Sequence, residues 1–209
     1  MNTFFSPDGK AYRLVDKLVS AVWLNILWIV CCIPVFTVGA STTALFYVSI
    51  KLARDEEGNI TKEFFHSFKM NFRQSTKIWL ILFAVGLLLL TDGYVLYHMR
   101  FENVFWTLLT AIFIVAVVGY AIVALYIFPL LAHFDNATPA MFKNALFIGM
   151  RFLLCTALMA LIYFVMAYII INVFTPAIIF GEGLCALLCS CLLNRILILC
   201  EGSEVHEAS

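Results

Sequence analysis

The stretch that decides the fold lies near the start of the chain, where residues 18–50 read LVSAVWLNILWIVCCIPVFTVGASTTALFYVSI. No charged side chain occurs in these 33 positions. A helix that crosses a bilayer needs about 20 consecutive apolar residues, so this stretch is too long for one span. Its backbone groups find no water in the hydrocarbon core and must bond within helices. The stretch therefore predicts two membrane-embedded helices.

The composition of the whole chain agrees with a membrane protein. It has 209 residues, of which 64% are hydrophobic and 12% charged, whereas soluble domains carry about 45–50% and 25%. No polar stretch is long enough for a second domain, so residues 1–209 are predicted to form a single integral membrane domain. The formal net charge is zero, which argues against a nucleic-acid partner, because such proteins are basic.

The first apolar block breaks near its middle. Pro34 removes a helical hydrogen bond and clashes with the preceding turn, and Gly39 follows five residues later. The prediction is helix 1 over about 18–33 and helix 2 over about 39–53. Helix 2 is short, so it either crosses the bilayer as a thin span or forms the second arm of a re-entrant hairpin. Small residues at 39/43 and 40/44 predict close packing of this helix.

Four further apolar blocks predict helices over about 77–97, 104–131, 140–174 and 183–200. If all six helices cross and the N-terminus is cytoplasmic, then 12 of the 13 Lys and Arg residues lie on the cytoplasmic side, with Arg100 alone outside. This is the bias of the positive-inside rule. We therefore predict an all-α polytopic helical bundle in the cell membrane, with six spans and both termini cytoplasmic.

The largest polar stretch, residues 54–76, predicts an amphipathic helix. Its phenylalanines fall on one helical face and most of its charges on the other. Such a helix lies in the headgroup layer, with its rings towards lipid and its cations near anionic headgroups. It is either a membrane-anchoring connector or a docking surface for a partner. The candidate partner surface consists of Phe64, Phe65, Phe68, Lys69, Asn71, Phe72 and Arg73.

A few polar residues in apolar blocks are candidates for function or for packing. Asp92 is read as the only acid well inside an apolar block, and intramembrane ionisable residues are expensive. It either pairs with Arg100 near the membrane surface or belongs to a proton, ion or substrate path. Asn25, in the middle of helix 1, must find a partner within the bundle, and interhelical packing is favoured. The full candidate set is Asn25, Pro34, Thr37, Gly39, Thr43 and Asp92.

Motifs for catalysis or cofactor binding are missing from the sequence. It has no P-loop, no H-E-x-x-H and no G-x-S-x-G, and its four histidines are scattered without metal-ligand spacing. The seven cysteines are odd in number, form no C-x-x-C and lie in apolar context, which favours small packed hydrophobes. We therefore expect no enzyme, no cofactor and no metal site. An intramembrane enzyme stays open, since an embedded active site need not follow soluble motifs.

The stretch from Asn25 onwards, with NILW, CIPVFTVGASTTALF and FFHSFKMNFRQST, resembles the YesL-type family of uncharacterised integral membrane proteins of bacteria. Its most specific part is P-x-x-T-x-G-x-x-T-T-A-L, residues 34–45. FFSPDG at the start, FPLLAHFDN and the S-x-L-L-N-R close extend the resemblance over nearly the whole chain.

The resemblance implies a role through genomic neighbourhood only. Family members often occur beside carbohydrate-uptake ABC transporters and sugar-responsive two-component systems. The implied function is an accessory component of carbohydrate uptake or sensing, with ABC permease subunits or a sensor kinase as partners besides the lipid bilayer. The alternative is a small autonomous transporter or channel, because broken helices build substrate sites in many transporters. The second half of the sequence has no matching break.

Overall fold

A computed structural model describes residues 10–56, 58–98 and 104–207 of the chain. This part of the chain is helical, and no strand occurs among the residues described. The α-helices are α1 (Lys10–Cys32), α2 (Val38–Ala53), α3 (Ile60–His98), α4 (Val104–His133), α5 (Thr138–Arg151), α6 (Leu153–Asn172) and α7 (Ile178–Glu207). Short 3-10 turns at Val35–Thr37 and Thr175–Ala177 precede α2 and α7.

Six of these helices are long and apolar enough to cross a membrane, namely α1, α2, α3, α4, α6 and α7. The sixth span, Thr175–Asn194, includes the 3-10 turn before α7. α5 is too short and too polar to join them. The predicted all-α polytopic bundle is confirmed.

The predicted break between the first two helices is also confirmed. α1 ends at Cys32, and Pro34 adopts an extended backbone conformation immediately before the 3-10 turn. The Thr37 hydroxyl donates to the Cys31 carbonyl oxygen over 2.5 Å, so a side chain satisfies a backbone acceptor that the last turn of α1 leaves open. The turn reverses the chain, and α2 returns alongside α1: the Trp28 indole N–H donates to the Thr42 hydroxyl over 3.1 Å.

α2 is the central helix of the bundle and contacts α1, α3, α4 and α7. It runs antiparallel to α3, since Gly39 at its start lies against Ser75 and Trp79, while Lys51 near its end pairs with Glu63. A Cβ atom at Gly39 would lie 2.6 Å from the Ser75 carbonyl oxygen. Only glycine allows this approach of two backbones, which agrees with the predicted close packing of α2.

α3 differs from the prediction, because the separate amphipathic segment 54–76 and the helix at 77–97 form one helix of 39 residues. The physical reason is that no proline or glycine interrupts residues 60–85, so the change from polar to apolar composition at Ile78 does not end the helix. We call residues 60–77 the basic half and residues 78–98 the apolar half. α2 packs along the basic half, and α4 packs beside the apolar half.

The predicted helix over 140–174 is divided at Phe152, which has a non-helical backbone (φ −113°, ψ 51°). The Thr156 hydroxyl lies 2.8 Å from the Gly149 carbonyl oxygen and so provides a partner for a carbonyl group at the end of α5. Gly149 itself packs onto α4, since a Cβ there would lie 2.2 Å from Ile122 Cγ2. α7 also begins earlier than predicted, at Ile178, and it continues to Glu207, beyond the predicted end near residue 200.

Candidate functional site

Asn25 joins α1 to the first turn of α7. Its side chain is fully buried, and its amide nitrogen donates to the Ile178 carbonyl oxygen over 3.0 Å and also contacts the Ile179 carbonyl. The Gly183 N–H donates to Asn25 Oδ1 over 2.8 Å. In a regular helix this N–H would bond to the carbonyl of residue 179. Asn25 therefore takes the place of a helical hydrogen bond, in the interhelical packing role favoured from the sequence.

Two glycines of α7 bring that helix close to its neighbours on different sides. A Cβ at Gly183 would lie 2.2 Å from the Ala21 carbonyl oxygen of α1. A Cβ at Gly181 would lie 3.3 Å from Ile170 Cδ1 of α6. The residue between them, Glu182, is therefore carried by a helix turn that is packed against both α1 and α6.

Glu182 is the functional candidate that the sequence analysis missed. It is half-buried and accepts a hydrogen bond of 3.3 Å from the Tyr163 hydroxyl of α6. The thiols of Cys32 and Cys185 are near enough to interact electrostatically with its carboxyl group. The statement that Asp92 is the only acid inside an apolar block was wrong, since Glu182 lies within the span Thr175–Asn194. The run of apolar residues on both sides of GEG was the available signal.

Asp92 lies elsewhere in the molecule. Its side chain is exposed on the apolar half of α3, where it lines a groove of about 330 Å³ between α3 and α4 together with Trp106 and Phe113. Its predicted partner Arg100 is outside the described residues. The structure therefore does not bring Asp92 together with Asn25, and the two cannot form one polar site.

The other candidates from the α1–α2 break have packing contacts. The Thr43 hydroxyl donates to the Gly39 carbonyl oxygen over 2.9 Å within α2. The indole N–H of Trp79 on α3 donates to the Val35 carbonyl oxygen over 2.8 Å. Pro34, Thr37, Gly39 and Thr43 thus build the turn and attach it to α3.

The basic half of α3 presents a row of exposed cationic or protonatable side chains along one face of the helix. We call this row the basic stripe; it consists of Lys62, His66, Lys69, Arg73 and Lys77. Phe65 and Met70 flank it with 39% and 64% of their surface exposed. In the described part of the chain, the salt bridges are Lys17–Asp55 and Lys51–Glu63. None of these involves the stripe.

The predicted partner surface needs correction at its aromatic residues. Phe64 is fully buried in the same core as residues of α2, so its assignment to that surface was wrong. Phe68 and Phe72 are half-buried and pack against each other at 5.5 Å between ring centroids. The apolar face of the segment is therefore covered by protein, because α2 lies where the prediction placed lipid. Phe65, Lys69 and Arg73 remain exposed, and Asn71 is half-buried.

Metal ligation has no geometric support in the residues described: no three His, Cys, Asp or Glu side chains converge there. The described cysteines are free thiols, with Cys185 and Cys189 buried. Among the described residues, the polar groups that join helices include the Glu182 carboxyl with the Tyr163 phenol, and the Asn25 amide.

Comparison with known proteins gives a family and two relatives. Residues 21–93, which hold the α1–α2 break and the basic stripe, match the family described as "Protein of unknown function, DUF624". "Uncharacterized protein YteU" of Bacillus subtilis (strain 168) is 26% identical over 171 residues, covering 77% of this chain and 75% of the relative. "Uncharacterized protein YesL" of the same organism is 29% identical over 142 residues, 66% of each chain. No solved structure matches the chain. The family match and both relatives confirm the predicted resemblance to the YesL-type family.

Proposed function

We propose that the protein is an accessory component of a carbohydrate uptake or sensing system in the cell membrane, and that it docks a partner through the basic stripe. The link to carbohydrate comes from the neighbourhood that the family resemblance implies. The observation that carries the docking role is the stripe itself, an exposed basic surface on a helix whose other side is fixed to the bundle. Docking needs no catalytic group.

Packing on α2 makes the stripe a preorganised surface. Phe64 and Ser75, on the opposite side of the helix, are fully buried, and Lys51 of α2 holds Glu63 at 3.2 Å. A surface that is already ordered loses little conformational entropy when it binds. An ordered stripe is therefore better suited to docking a protein than a loosely attached lipid-anchoring helix would be.

Charge complementarity defines the partner. A row of cations is complementary to an acidic surface, which it attracts during association. Phe65 and Met70 provide apolar area beside the stripe. Met and aromatic residues are enriched in the buried centres of interfaces. We therefore propose an acidic cytoplasmic segment of an ABC permease subunit or a sensor kinase, and both termini of the present chain on the cytoplasmic side.

The test is affinity purification from native membranes in mild detergent, at natural expression level, with mass spectrometry of the proteins recovered. The informative variant is the charge reversal Lys69→Glu/Arg73→Glu. Its matched control is Lys143→Glu/Arg151→Glu on α5, which reverses two exposed cations that do not belong to the stripe. Permease or kinase subunits should be recovered with wild type and control, and lost with the stripe variant.

Two results would refute docking through the stripe. One is recovery of the same partner with the stripe variant. The other is recovery of no partner, together with wild-type binding to vesicles of anionic lipid that the stripe variant loses; the stripe would then bind headgroups. Unchanged sugar uptake after deletion of the gene would remove the carbohydrate role.

The alternative function, a small transporter, is favoured by one specific observation: Glu182 and Asn25 place hydrogen-bonding groups between apolar helices. Under this alternative, reconstituted vesicles show solute flux that Glu182→Gln reduces. Glu56→Gln is the control, since Glu56 is exposed between the second and third spans. Absence of flux for sugars, ions and protons would dismiss transport.

A further inference from the structure

We propose that Glu182 is a reversible proton-binding site inside the helical bundle, with the Tyr163 hydroxyl as its hydrogen-bond partner. The site binds a proton as its ligand and needs no metal or cofactor. It goes beyond the docking function and stands whether or not a partner binds the basic stripe. If the protein transports a solute, this carboxyl is the group that would couple transport to protons.

The surroundings of the carboxyl contain hydrogen-bonding and thiol groups. α6 contributes the Tyr163 phenol at 3.3 Å. α1 contributes the Cys32 thiol, and α7 itself contributes the thiols of Cys185 and Cys189. Among the residues described, no Lys, Arg or His forms a salt bridge with Glu182. The carboxyl group therefore has a neutral donor and no cation as partner.

The position of Glu182 in α7 is fixed from two sides. Gly183 packs against the α1 backbone at Ala21, and Gly181 packs against the Ile170 and Met166 side chains of α6. Asn25 holds the Gly183 N–H at 2.8 Å. The exposed side chains just before the acid, Ile178, Ile179 and Phe180, are apolar. The parts of this turn that protein does not cover therefore present apolar side chains, which are suited to contact with lipid rather than water.

Such a site favours proton exchange for a simple electrostatic reason. An ionised carboxylate inside a membrane is expensive unless a cation pairs with it, whereas a protonated carboxyl is neutral and can both donate and accept hydrogen bonds. Binding forms one O–H bond on the carboxylate with a proton from water, and no other covalent bond changes. The Tyr163 hydroxyl stabilises the ionised form by donating to it, so both states are available to one carboxyl group.

The test uses dicyclohexylcarbodiimide, an apolar reagent that enters membranes and reacts with protonated carboxyl groups. The whole protein, reconstituted in vesicles, is treated over a range of pH values, and the labelled residues are identified by mass spectrometry. We expect labelling at Glu182 and little at Glu56, which is exposed between the second and third spans and serves as an internal control. Above the midpoint, labelling should fall about tenfold per pH unit, as for one titrating carboxyl group.

Two variants separate proton binding from a merely structural role. Glu182→Gln keeps an acceptor for Tyr163, so it should fold and lose the label. Tyr163→Phe keeps the acid but removes the donor, so the midpoint of labelling should move to higher pH. Absence of label on folded wild-type protein, label that does not change with pH, or equal labelling of Glu56 would overturn the proposal. A midpoint unchanged in Tyr163→Phe would overturn the assignment of the phenol as partner.

Discussion

Asn25→Ala should destabilise the bundle more than its small change in volume suggests. Asn25 makes two donated contacts to the Ile178 and Ile179 carbonyl groups, and it accepts one hydrogen bond from Gly183. Alanine removes all three. The Gly183 N–H can recover the Ile179 carbonyl only if the first turn of α7 rearranges. Because a Gly183 Cβ would lie only 2.2 Å from Ala21, there is little room for that movement.

The expected magnitude follows from these contacts. Interhelical hydrogen bonds in membrane proteins contribute about 0.6 kcal/mol on average and up to about 1.7 kcal/mol. The two donated bonds amount to about 1 kcal/mol, and the buried Gly183 N–H left without a partner costs about 1–3 kcal/mol. We therefore expect a loss of about 2–4 kcal/mol in the free energy of unfolding. For a chain of this length, this lowers Tm by roughly 4–16 °C.

The assay is thermal unfolding in mild detergent, followed by circular dichroism and by tryptophan fluorescence. Asn172→Ala is the matched control, since Asn172 is exposed and donates only to the Tyr168 carbonyl of its own helix, over 3.3 Å. The control should change the free energy of unfolding by less than about 0.5 kcal/mol. Equal Tm values for the two variants would refute the role of Asn25 in joining α1 to α7.

Three further predictions concern packing, a buried hydroxyl pair and sidedness. Gly183→Ala should lower the free energy of unfolding by about 1–3 kcal/mol, because the new methyl group overpacks against Ala21. Gly119→Ala is the control, since nothing lies within 4 Å of a Cβ there, and it should leave Tm unchanged or higher in the same unfolding assay. Equal losses in the two variants would contradict close contact between α1 and α7. The effects of Thr156→Val and Tyr126→Phe on the free energy of unfolding should deviate from additivity by about 0.5–1.5 kcal/mol, because the two hydroxyl groups are buried and lie 3.0 Å apart. If the double variant lost the sum of the two single losses, the pair would not interact. Green fluorescent protein fused to either terminus should fluoresce and alkaline phosphatase should stay inactive, and the reverse pattern at either end would reject the predicted orientation.

The sequence predicted those features that one helix determines by itself. Pro34 lacks a backbone N–H and clashes with the preceding turn, and α1 ends before it. The apolar lengths identify spans without knowledge of their neighbours. The break at Phe152 was missed because neither proline nor glycine marks it; it depends on Thr156 bonding to Gly149, and on the contact of Gly149 with α4. The continuity of α3 was missed because a change of polarity was taken as the end of a helix.

The site was harder to predict than the fold because it depends on contacts between helices. The predicted last helix began at 183, so Glu182 lay outside it. In the structure, Gly181 and Gly183 are contact points for α6 and α1. Phe64 was assigned to an exposed surface because its periodicity shows that a face is apolar, but not whether lipid or protein covers it. The partner of each face follows only from the tertiary arrangement.

The length of α3 has a mechanical consequence. With 39 residues, the helix is about 58 Å long at 1.5 Å per residue, nearly twice the hydrocarbon thickness of about 30 Å. From Trp79, where it contacts Gly39, the helix extends about 28 Å to His98. If the proposed partner tilted the helix by about 10° about this contact, the far end would move by about 5 Å. Docking on one side of the bilayer would then reach the groove beside Asp92.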